Sequence, residues 1–257
     1  MALLSIRGVT VRFGGLVANN AIDIDVPEGA IFAVIGPNGA GKTTLFNVVS
    51  GAFAPTEGQV EFDGETITGK PQAAIAGRGL IRTYQLVQLF QDLTVAENVQ
   101  VGAHRVTRGG VFASLARPGW FRTQEAAVRE EALRLLEFVG LGGRGDVVAA
   151  KLPYGQQRLL EVARAMAAKP RIILLDEPAA GLNTQETQAL ADVIRRINKT
   201  GVTVLLIEHD MSLVMQVAQR IAVLDFGLKI AEGTPDEVRR HPDVVAAYLG
   251  GTEHSLG

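Results

Sequence analysis

The stretch AVIGPNGAGKTTL, residues 33–45, decides the fold of this chain. It contains the pattern G-x-x-x-x-G-K-[S/T] from Gly36 to Thr43, directly after the strand-like run AIFAVI and directly before the helix-like run TTLFNVVSG. A phosphate-binding loop requires this context, because its glycines let backbone amides surround phosphate oxygens at the start of a helix. The pattern therefore predicts that the chain binds a nucleoside triphosphate.

The side chains at the end of this loop have distinct predicted roles. Lys42 is expected to reach the β- and γ-phosphates, and the hydroxyl of Thr43 is expected to bind Mg²⁺. The residues predicted to contact the nucleotide here are Gly36, Pro37, Asn38, Gly39, Ala40, Gly41, Lys42, Thr43 and Thr44.

Three later segments, RIILLDE, VTVLLIEHD and RIAVLD, are continuous apolar runs that end in polar residues. Such runs are typical of buried parallel strands that alternate with helices. Asp176 ends the first run and is predicted to hold the metal through water, beside the phosphate loop. Glu177 follows it and is predicted to orient and deprotonate an attacking water. His209 ends the next run, and this position makes it a further candidate site residue.

The rest of the chain divides into β-like and helical parts. Short β-like runs separated by glycine turns near the N-terminus predict an antiparallel β region. The segment QEAAVREEALRLLEFV, residues 124–139, places apolar residues on one face and charges on the other, as an amphipathic helix does. We therefore predict one α/β domain over 1–257, with a core formed by 1–87 and 166–257 and a helical subdomain at 88–165.

Composition excludes several classes of protein. The chain has 25 Lys and Arg against 27 Asp and Glu, so its overall field would not attract nucleic acid from a distance, and no nucleic-acid partner is expected. It contains no cysteine, which removes disulfides and thiolate metal sites. Because no apolar stretch has the length of a signal peptide or a membrane span, we expect neither export nor membrane insertion.

The hydrophobic periodicity does not decide the function of two further segments. In KLPYGQQRLLEVARAM, residues 151–166, a helical apolar pattern follows Pro, Tyr and Gly without a Ser, Thr, Asp or Asn to cap it. The amides of Tyr154, Gly155 and Gln156 face either water or an anion. The irregular segment at 108–122 is either a mobile surface loop or an element that binds a partner.

Taken in order, these motifs resemble the nucleotide-binding subunits of ABC transporters. The series is GPNGAGKTT, Gln85 in IRTYQ, LPYGQQ in the place of the family's L-S-G-G-Q signature, ILLDEP, AAGLN and EHD. More narrowly, VRFGGLVANN, RTYQLVQLF, LTVAENV, PAAGLN and VVAAYLG are similar to the ATPases of branched-chain amino acid importers. The resemblance covers nearly the whole chain and implies a P-loop NTPase core, RecA-like, in which 88–165 is the helical signature subdomain.

The resemblance also implies a function and partners. The protein would hydrolyse ATP with Mg²⁺ and pair with a second ATPase subunit, the same chain or a related one. It would drive membrane permease subunits, and indirectly a solute-binding protein, from the cytoplasmic face of the inner membrane. It would energise the import of branched-chain or related hydrophobic amino acids. The alternatives are another solute or lipid transporter, or an ABC ATPase of DNA repair or translation.

Several site residues are predicted from the resemblance alone. The amides of Tyr154, Gly155 and Gln156 would face the γ-phosphate of the ATP held by the partner subunit. Phe13 would stack on adenine, although a core position for this residue stays open. Gln85 would contact the metal or the attacking water and sense the membrane subunit, and His209 would bind the γ-phosphate.

The sequence departs from the family pattern at a few positions. Pro153 replaces the signature serine, Tyr154 replaces a signature glycine, and Asn183 replaces an aspartate in the loop after Glu177. Among the alternatives, a DNA-repair relative would have a long coiled coil before the signature, and a translation factor would have two cassettes. A GTPase would have N-K-x-D, whereas NKTG at 198–201 has no aspartate.

Overall fold

The computed structural model describes residues 2–83, 85, 87–103, 119–209 and 211–250, with the backbone alone at 119–123, 249 and 250. These residues form two compact units. The first unit contains Met1–Arg82, Arg171–Ala180 and Ile194–Gly257, and the second contains Thr83–Pro170 and Gly181–Val193. The subdomain boundaries near 88 and 165 stay a prediction.

The first unit contains the predicted antiparallel β region. Four strands follow the order β2-β1-β4-β5, in which β1 and β2 form a long hairpin that turns at Gly14 and Gly15. Apolar side chains of these strands, among them Leu4, Ile6 and Val60, are buried in the core. The strands are β1 (Ala2–Phe13), β2 (Leu16–Pro27), β4 (Glu57–Phe62) and β5 (Glu65–Thr66).

A six-stranded sheet in the same unit has the order β10-β9-β3-β8-β7-β6. Its strands pair in parallel, except that β10 is antiparallel to β9. Every residue of β3, β7 and β8 is buried, which confirms the predicted buried parallel strands. The strands are β3 (Ile31–Ile35), β6 (Leu80–Arg82), β7 (Ile172–Asp176), β8 (Thr203–Ile207), β9 (Arg220–Asp225) and β10 (Leu228–Gly233).

Two strands of this sheet were not predicted. Strand β6 has only three residues, which is too short for a periodic signal. Strand β10 mixes charged and apolar residues without strict alternation. The parallel arrangement places the ends of β3, β7 and β8 at one edge of the sheet. At this edge the phosphate loop follows β3, Asp176 ends β7 and Glu208 follows β8.

The helices of the first unit are α1 (Lys42–Val49), α2 (Gln72–Gly77), α7 (Met211–Val217), α8 (Pro235–Arg240) and α9 (Pro242–Gly250). The second unit contains α3 (Val95–Gly102), α4 (Gly119–Phe138) and α5 (Tyr154–Ala167), while α6 (Thr184–Lys199) crosses the division. Within the described ranges, none of these helices combines the length and apolar character that a membrane span needs.

Helix α4 corrects one prediction. The sequence predicted a helix at 124–139 and an irregular segment at 108–122, yet the backbone is already helical from Gly119. The Pro-Gly pair at 118 and 119 was interpreted as irregular, although proline is compatible with the start of a helix. Residues 108–118 of that segment lie outside the described residues.

Candidate active site

A cleft of about 380 Å³ in the first unit brings most of the predicted nucleotide contacts together. Phe13 and Glu177 line it, together with four residues that were not predicted, Leu16, Val17, Ala18 and Phe226. The predicted loop residues in its wall are Asn38, Gly39, Ala40, Gly41, Lys42, Thr43 and Thr44.

Two glycines explain why the phosphate loop takes this path. Gly36 has φ 151°, and a Cβ there would lie 2.0 Å from the carbonyl oxygen of Leu224. Gly41 has φ 95°, and a Cβ there would lie 2.3 Å from the carbonyl oxygen of Ala18. Helix α1 begins directly after Gly41 without a side-chain cap, and its first residues Lys42, Thr43 and Thr44 line the cleft. A helix N-terminus in this position suits an anion.

The ammonium of Lys42 is buried against its own loop. Its Nζ donates to the carbonyl oxygens of Gly36 at 2.7 Å and Pro37 at 2.9 Å. Burial lowers the pKa of Lys42, while the carboxylates of Glu177, Asp176 and Glu208 act in the opposite direction. A cation is therefore held beside the place where phosphate oxygens would bind.

Asp176 forms a buried ion pair that the sequence did not predict. Oδ2 of Asp176 accepts from the guanidinium of Arg82 at 2.6 Å, and the two side chains are only 4% and 6% exposed. The same guanidinium donates to Oδ1 of Asn47 at 2.8 Å and Oγ of Ser50 at 2.9 Å. Arg82 thus ties the carboxylate at the end of β7 to the C-terminal end of α1.

Glu177 stands in a strained conformation. Its φ is 45°, the left-handed region that residues other than glycine rarely adopt, and its amide donates to the carbonyl of Ile207 at 3.0 Å. Strain of this kind persists where function requires it. Nδ1 of His209, a half-exposed residue, lies 3.8 Å from Oε2 of Glu177. The structure therefore brings both predicted residues together at the ends of β7 and β8.

Glu208 is a second residue that sequence reasoning missed. It is fully buried, and its carboxylate accepts from the amides of Ala179 at 2.7 Å and His209 at 3.1 Å. These bonds fix the chain directly after Glu177 to the chain that carries His209. The available signal in the sequence was a carboxylate directly between the apolar run VTVLLI and the candidate residue His209.

Phe13 is not a core residue. It is 52% exposed at the turn of the β1–β2 hairpin, and its ring meets the ring of Phe53 edge-on at 5.7 Å. This rejects the core alternative and leaves adenine stacking as a proposal.

Pro153 precedes the start of α5, in the second unit. Its backbone has φ −56° and ψ 151°, so it lies outside the first turn of the helix. Its carbonyl accepts from the amide of Gln156 at 3.0 Å, so that amide is not bare. No side chain of the described residues caps the helix.

Gly155 has a packing role within its own unit. A Cβ at this position would lie 2.4 Å from a carboxylate oxygen of Glu186, so a larger residue would displace that side chain. Glu186 and Asn183 form a reciprocal cap at the start of α6, in which Asn183 accepts from the amide of Glu186 at 3.0 Å. Asn183 therefore supplies a helix cap in place of the family's aspartate.

Gln85 also belongs to the second unit. Its backbone carbonyl accepts from the guanidinium of Arg158, a buried residue of α5. Its contact with a metal or with the attacking water stays a prediction.

The residues of the first unit fit a magnesium ion bound together with a nucleotide. Within the described residues, no three carboxylate or imidazole side chains converge as a metal cage. Mg²⁺ needs only one or two protein oxygens beside phosphates and water, which suits Thr43 and Asp176. One oxygen of Asp176 binds Arg82, and the carboxylate retains further lone pairs for a metal-bound water.

Comparison with known proteins gives matches along the whole chain. The family described as "ABC transporter" matches residues 19–180, and the one described as "Branched-chain amino acid ATP-binding cassette transporter" matches residues 229–254. The chain is 47% identical over 249 residues to the high-affinity branched-chain amino acid transport ATP-binding protein BraF of Pseudomonas aeruginosa, covering 96% of this chain and 98% of that protein.

Solved structures show the same fold. The ADP conformation of an ATP-binding cassette of an ABC transporter has a TM-score of 0.85 and 33% identity, covering 97% of this chain and 99% of that one. A dimeric cassette bound to ADP and phosphate, in a post-hydrolysis state, has a TM-score of 0.75 and 25% identity over 90% of this chain and 98% of that one. The resemblance stated from the motifs is confirmed: the chain belongs to the ABC transporter family and is an ATP-hydrolysing cassette.

Proposed function

We propose that this ATPase energises an importer of branched-chain or related hydrophobic amino acids by acting on a separate membrane subunit. The observation that carries this proposal is the 47% identity to the Pseudomonas aeruginosa protein over 96% of the chain. The match at residues 229–254, outside the general cassette region, supports the same substrate class. The solute itself would be bound by other polypeptides, among them a solute-binding protein.

In the proposed mechanism, the phosphate loop binds ATP and Lys42 contacts its β- and γ-phosphates. Mg²⁺, when bound near Thr43 and Asp176, would supply positive charge to the phosphate oxygens. Glu177 accepts a proton from a water whose oxygen bonds to the γ-phosphorus. The bond from that phosphorus to the bridging oxygen breaks, and ADP leaves with the electron pair. We propose that His209, whose Nδ1 lies 3.8 Å from Oε2 of Glu177, contacts the γ-phosphate.

A second ATPase subunit would complete this site. The amides of Tyr154 and Gly155 at the start of α5 have no side-chain cap, and a helix N-terminus favours an anion. We propose that they face the γ-phosphate on the partner subunit. A similar cassette is dimeric and bound to ADP and phosphate, which supports a second subunit. Pro153 has no hydroxyl, so this contact has one hydrogen bond fewer than a signature serine provides.

The membrane subunit would dock at the apolar segment YQLVQLFQDL, residues 84–93, of which Tyr84 and Leu86 lie outside the described residues. Phe90 is 51% exposed, yet its backbone is fixed because the buried Asn98 accepts from its amide at 2.9 Å and donates to its carbonyl at 3.0 Å. The guanidinium of Arg164, on α5, lies 6.0 Å from the centre of its ring. A rigid, exposed aromatic residue is typical of a protein interface.

The proposed location follows from the proposed partners. A cassette that acts on a permease would be a peripheral protein at the cytoplasmic face of the inner membrane. Nucleic acid is not among the proposed partners, because the net charge of the chain is −2.

Replacing Lys42 with alanine should weaken ATP binding by at least ten-fold. The change removes a charge-assisted phosphate contact worth about 1.5 to 3 kcal/mol. Isothermal titration with ATP at fixed ionic strength measures the effect. Lys199→Ala, at an exposed position at the end of α6, is the matched control and should bind as the wild type does. Unchanged ATP affinity in Lys42→Ala would contradict the role given to this side chain.

Replacing Phe90 with serine should reduce assembly with the membrane subunit while leaving ATP affinity and melting temperature close to wild type. Serine removes the ring without adding a charge that Arg164 could pair with. Copurification with the coexpressed permease measures assembly. Val101→Ser, which removes another exposed apolar side chain of the second unit, should have no effect. If Phe90→Ser unfolds, the ring is structural and the docking surface lies elsewhere.

Uptake by cells tests the proposed substrate. The chain is expressed with the permease and binding protein encoded beside it, and uptake of radiolabelled leucine, isoleucine and valine is measured against phosphate and a sugar. We expect branched-chain amino acid uptake that disappears in the Lys42→Ala strain. Uptake of the other solutes alone would refute the substrate class while leaving the ATPase assignment intact.

A further inference from the structure

We propose that Phe226 is a base-binding residue of the nucleotide cleft. Its ring would form, with Phe13 and Leu16, an apolar wall for the nucleobase of the ATP whose phosphates lie on the loop at 36–44. This inference rests on nucleotide binding in the cleft and adds a residue that the sequence motifs do not contain.

Folding gives no reason for an aromatic residue at this position. Phe226 is 87% exposed, more than any other large hydrophobic side chain in the described part of the chain. Its φ is 42°, in the left-handed region that is costly for a bulky residue. The side chain therefore contributes no burial to the core and adds backbone strain. A large exposed side chain kept in a strained turn indicates a functional role.

The turn that carries Phe226 is attached to the phosphate loop. The amide of Gly227 donates to the carbonyl of Ala40 at 3.2 Å, and the carbonyl of Gly227 accepts from the amide of Asn20 at 2.8 Å. A Cβ on Gly227 would lie 2.8 Å from the carbonyl oxygen of Ala18, so only glycine allows this close approach. The backbone that carries Phe226 is thus attached to the loop that would hold the phosphates.

The lining of the cleft separates into two chemical parts. Backbone amides and Lys42 suit phosphates, whereas Phe13, Leu16 and Phe226 are apolar and 52%, 65% and 87% exposed. A nucleotide has the same division between its phosphates and its base. Because every base has a π face, stacking on an aromatic ring does not depend on which base is bound. Phe226 should therefore strengthen the binding of ATP and GTP alike.

Two variants separate the ring from the turn. Phe226→Ala removes the ring. Phe226→Asn also removes the ring, but asparagine tolerates the left-handed backbone conformation of this position. We expect both variants to bind ATP and GTP about ten-fold more weakly, the loss expected for one stacking contact. Phe226→Asn should melt at or above the wild-type temperature, because the strain of the turn is relieved. Leu228→Ala, at an exposed position on the same hairpin outside the cleft, is the control and should bind normally.

Inorganic tripolyphosphate separates base binding from phosphate binding. Isothermal titration should give the same tripolyphosphate affinity, within about two-fold, for the wild type and both variants. ATP affinity equal to wild type in both variants would overturn the proposal. An equal loss for tripolyphosphate would also overturn it, since Phe226 would then shape the loop. A loss of ATP affinity that is seen only at protein concentrations where two copies associate would overturn it as well. If the wild type binds tripolyphosphate but not ATP, the nucleotide site itself is refuted.

Discussion

Glu177→Gln is expected to reduce ATP turnover by about 10²-fold or more while leaving ATP affinity close to that of the wild type. Glutamine has the same shape and retains the backbone bond from residue 177 to Ile207, but it cannot accept the proton of the attacking water. The side chain is only 16% exposed, so bulk water does not readily replace its carboxylate. Steady-state phosphate release and titration with ATP measure the two quantities. We also expect an ATP-bound dimer to accumulate on gel filtration.

The control for this prediction is a carboxylate outside the site. Glu57→Gln, on the exposed part of β4, should keep full turnover. Turnover of Glu177→Gln within a factor of about two of wild type would remove Glu177 from the role of general base. A parallel loss of ATP binding would mean instead that the carboxylate supports the shape of the cleft.

Arg82→Met is expected to lower the free energy of unfolding by about 3 to 5 kcal/mol. Methionine retains much of the arginine's volume but leaves the carboxylate of Asp176 buried without its 2.6 Å ion pair. It also removes the hydrogen bonds to Asn47 and Ser50. Urea unfolding of the nucleotide-free protein measures this loss. The double variant Arg82→Met, Asp176→Leu should recover much of it, because an apolar pair replaces the ion pair without a buried charge.

The chain contains a closely matched control for this pair. Arg7 and Asp25 are also 2.6 Å apart, but their side chains are 44% and 49% exposed. Arg7→Met should therefore cost less than about 1 kcal/mol, since water solvates the remaining carboxylate. If Arg82→Met lowers the free energy of unfolding no more than Arg7→Met does, burial does not determine how much an ion pair stabilises this protein. Failure of the double variant to recover stability would show that the bonds to Asn47 and Ser50 dominate.

The local parts of this protein were predictable from its sequence. The phosphate loop between AIFAVI and TTLFNVVSG, and the buried strands that end at Asp176 and Ile207, depend on residue types within a few positions of each other. Glycine spacing and continuous apolar runs are properties of one segment, and they fix the backbone path of that segment wherever it packs. The resemblance to ABC cassettes rests on the same short motifs, and the comparisons confirmed it.

Contacts between distant segments depended on the tertiary structure. Arg82 and Asp176 are 94 residues apart, and they meet because β6 pairs with β7, a strand order that no local pattern encodes. Phe226 lines the cleft because the turn between β9 and β10, which was not predicted, is hydrogen-bonded to Ala40. The signature motif identifies Gly155, but only the folded chain places the carboxylate of Glu186 beside it. The sequence by itself determined the phosphate loop and the buried strands, because these depend on local geometry. Only the folded chain decided which buried charge meets which partner, because that depends on strand order.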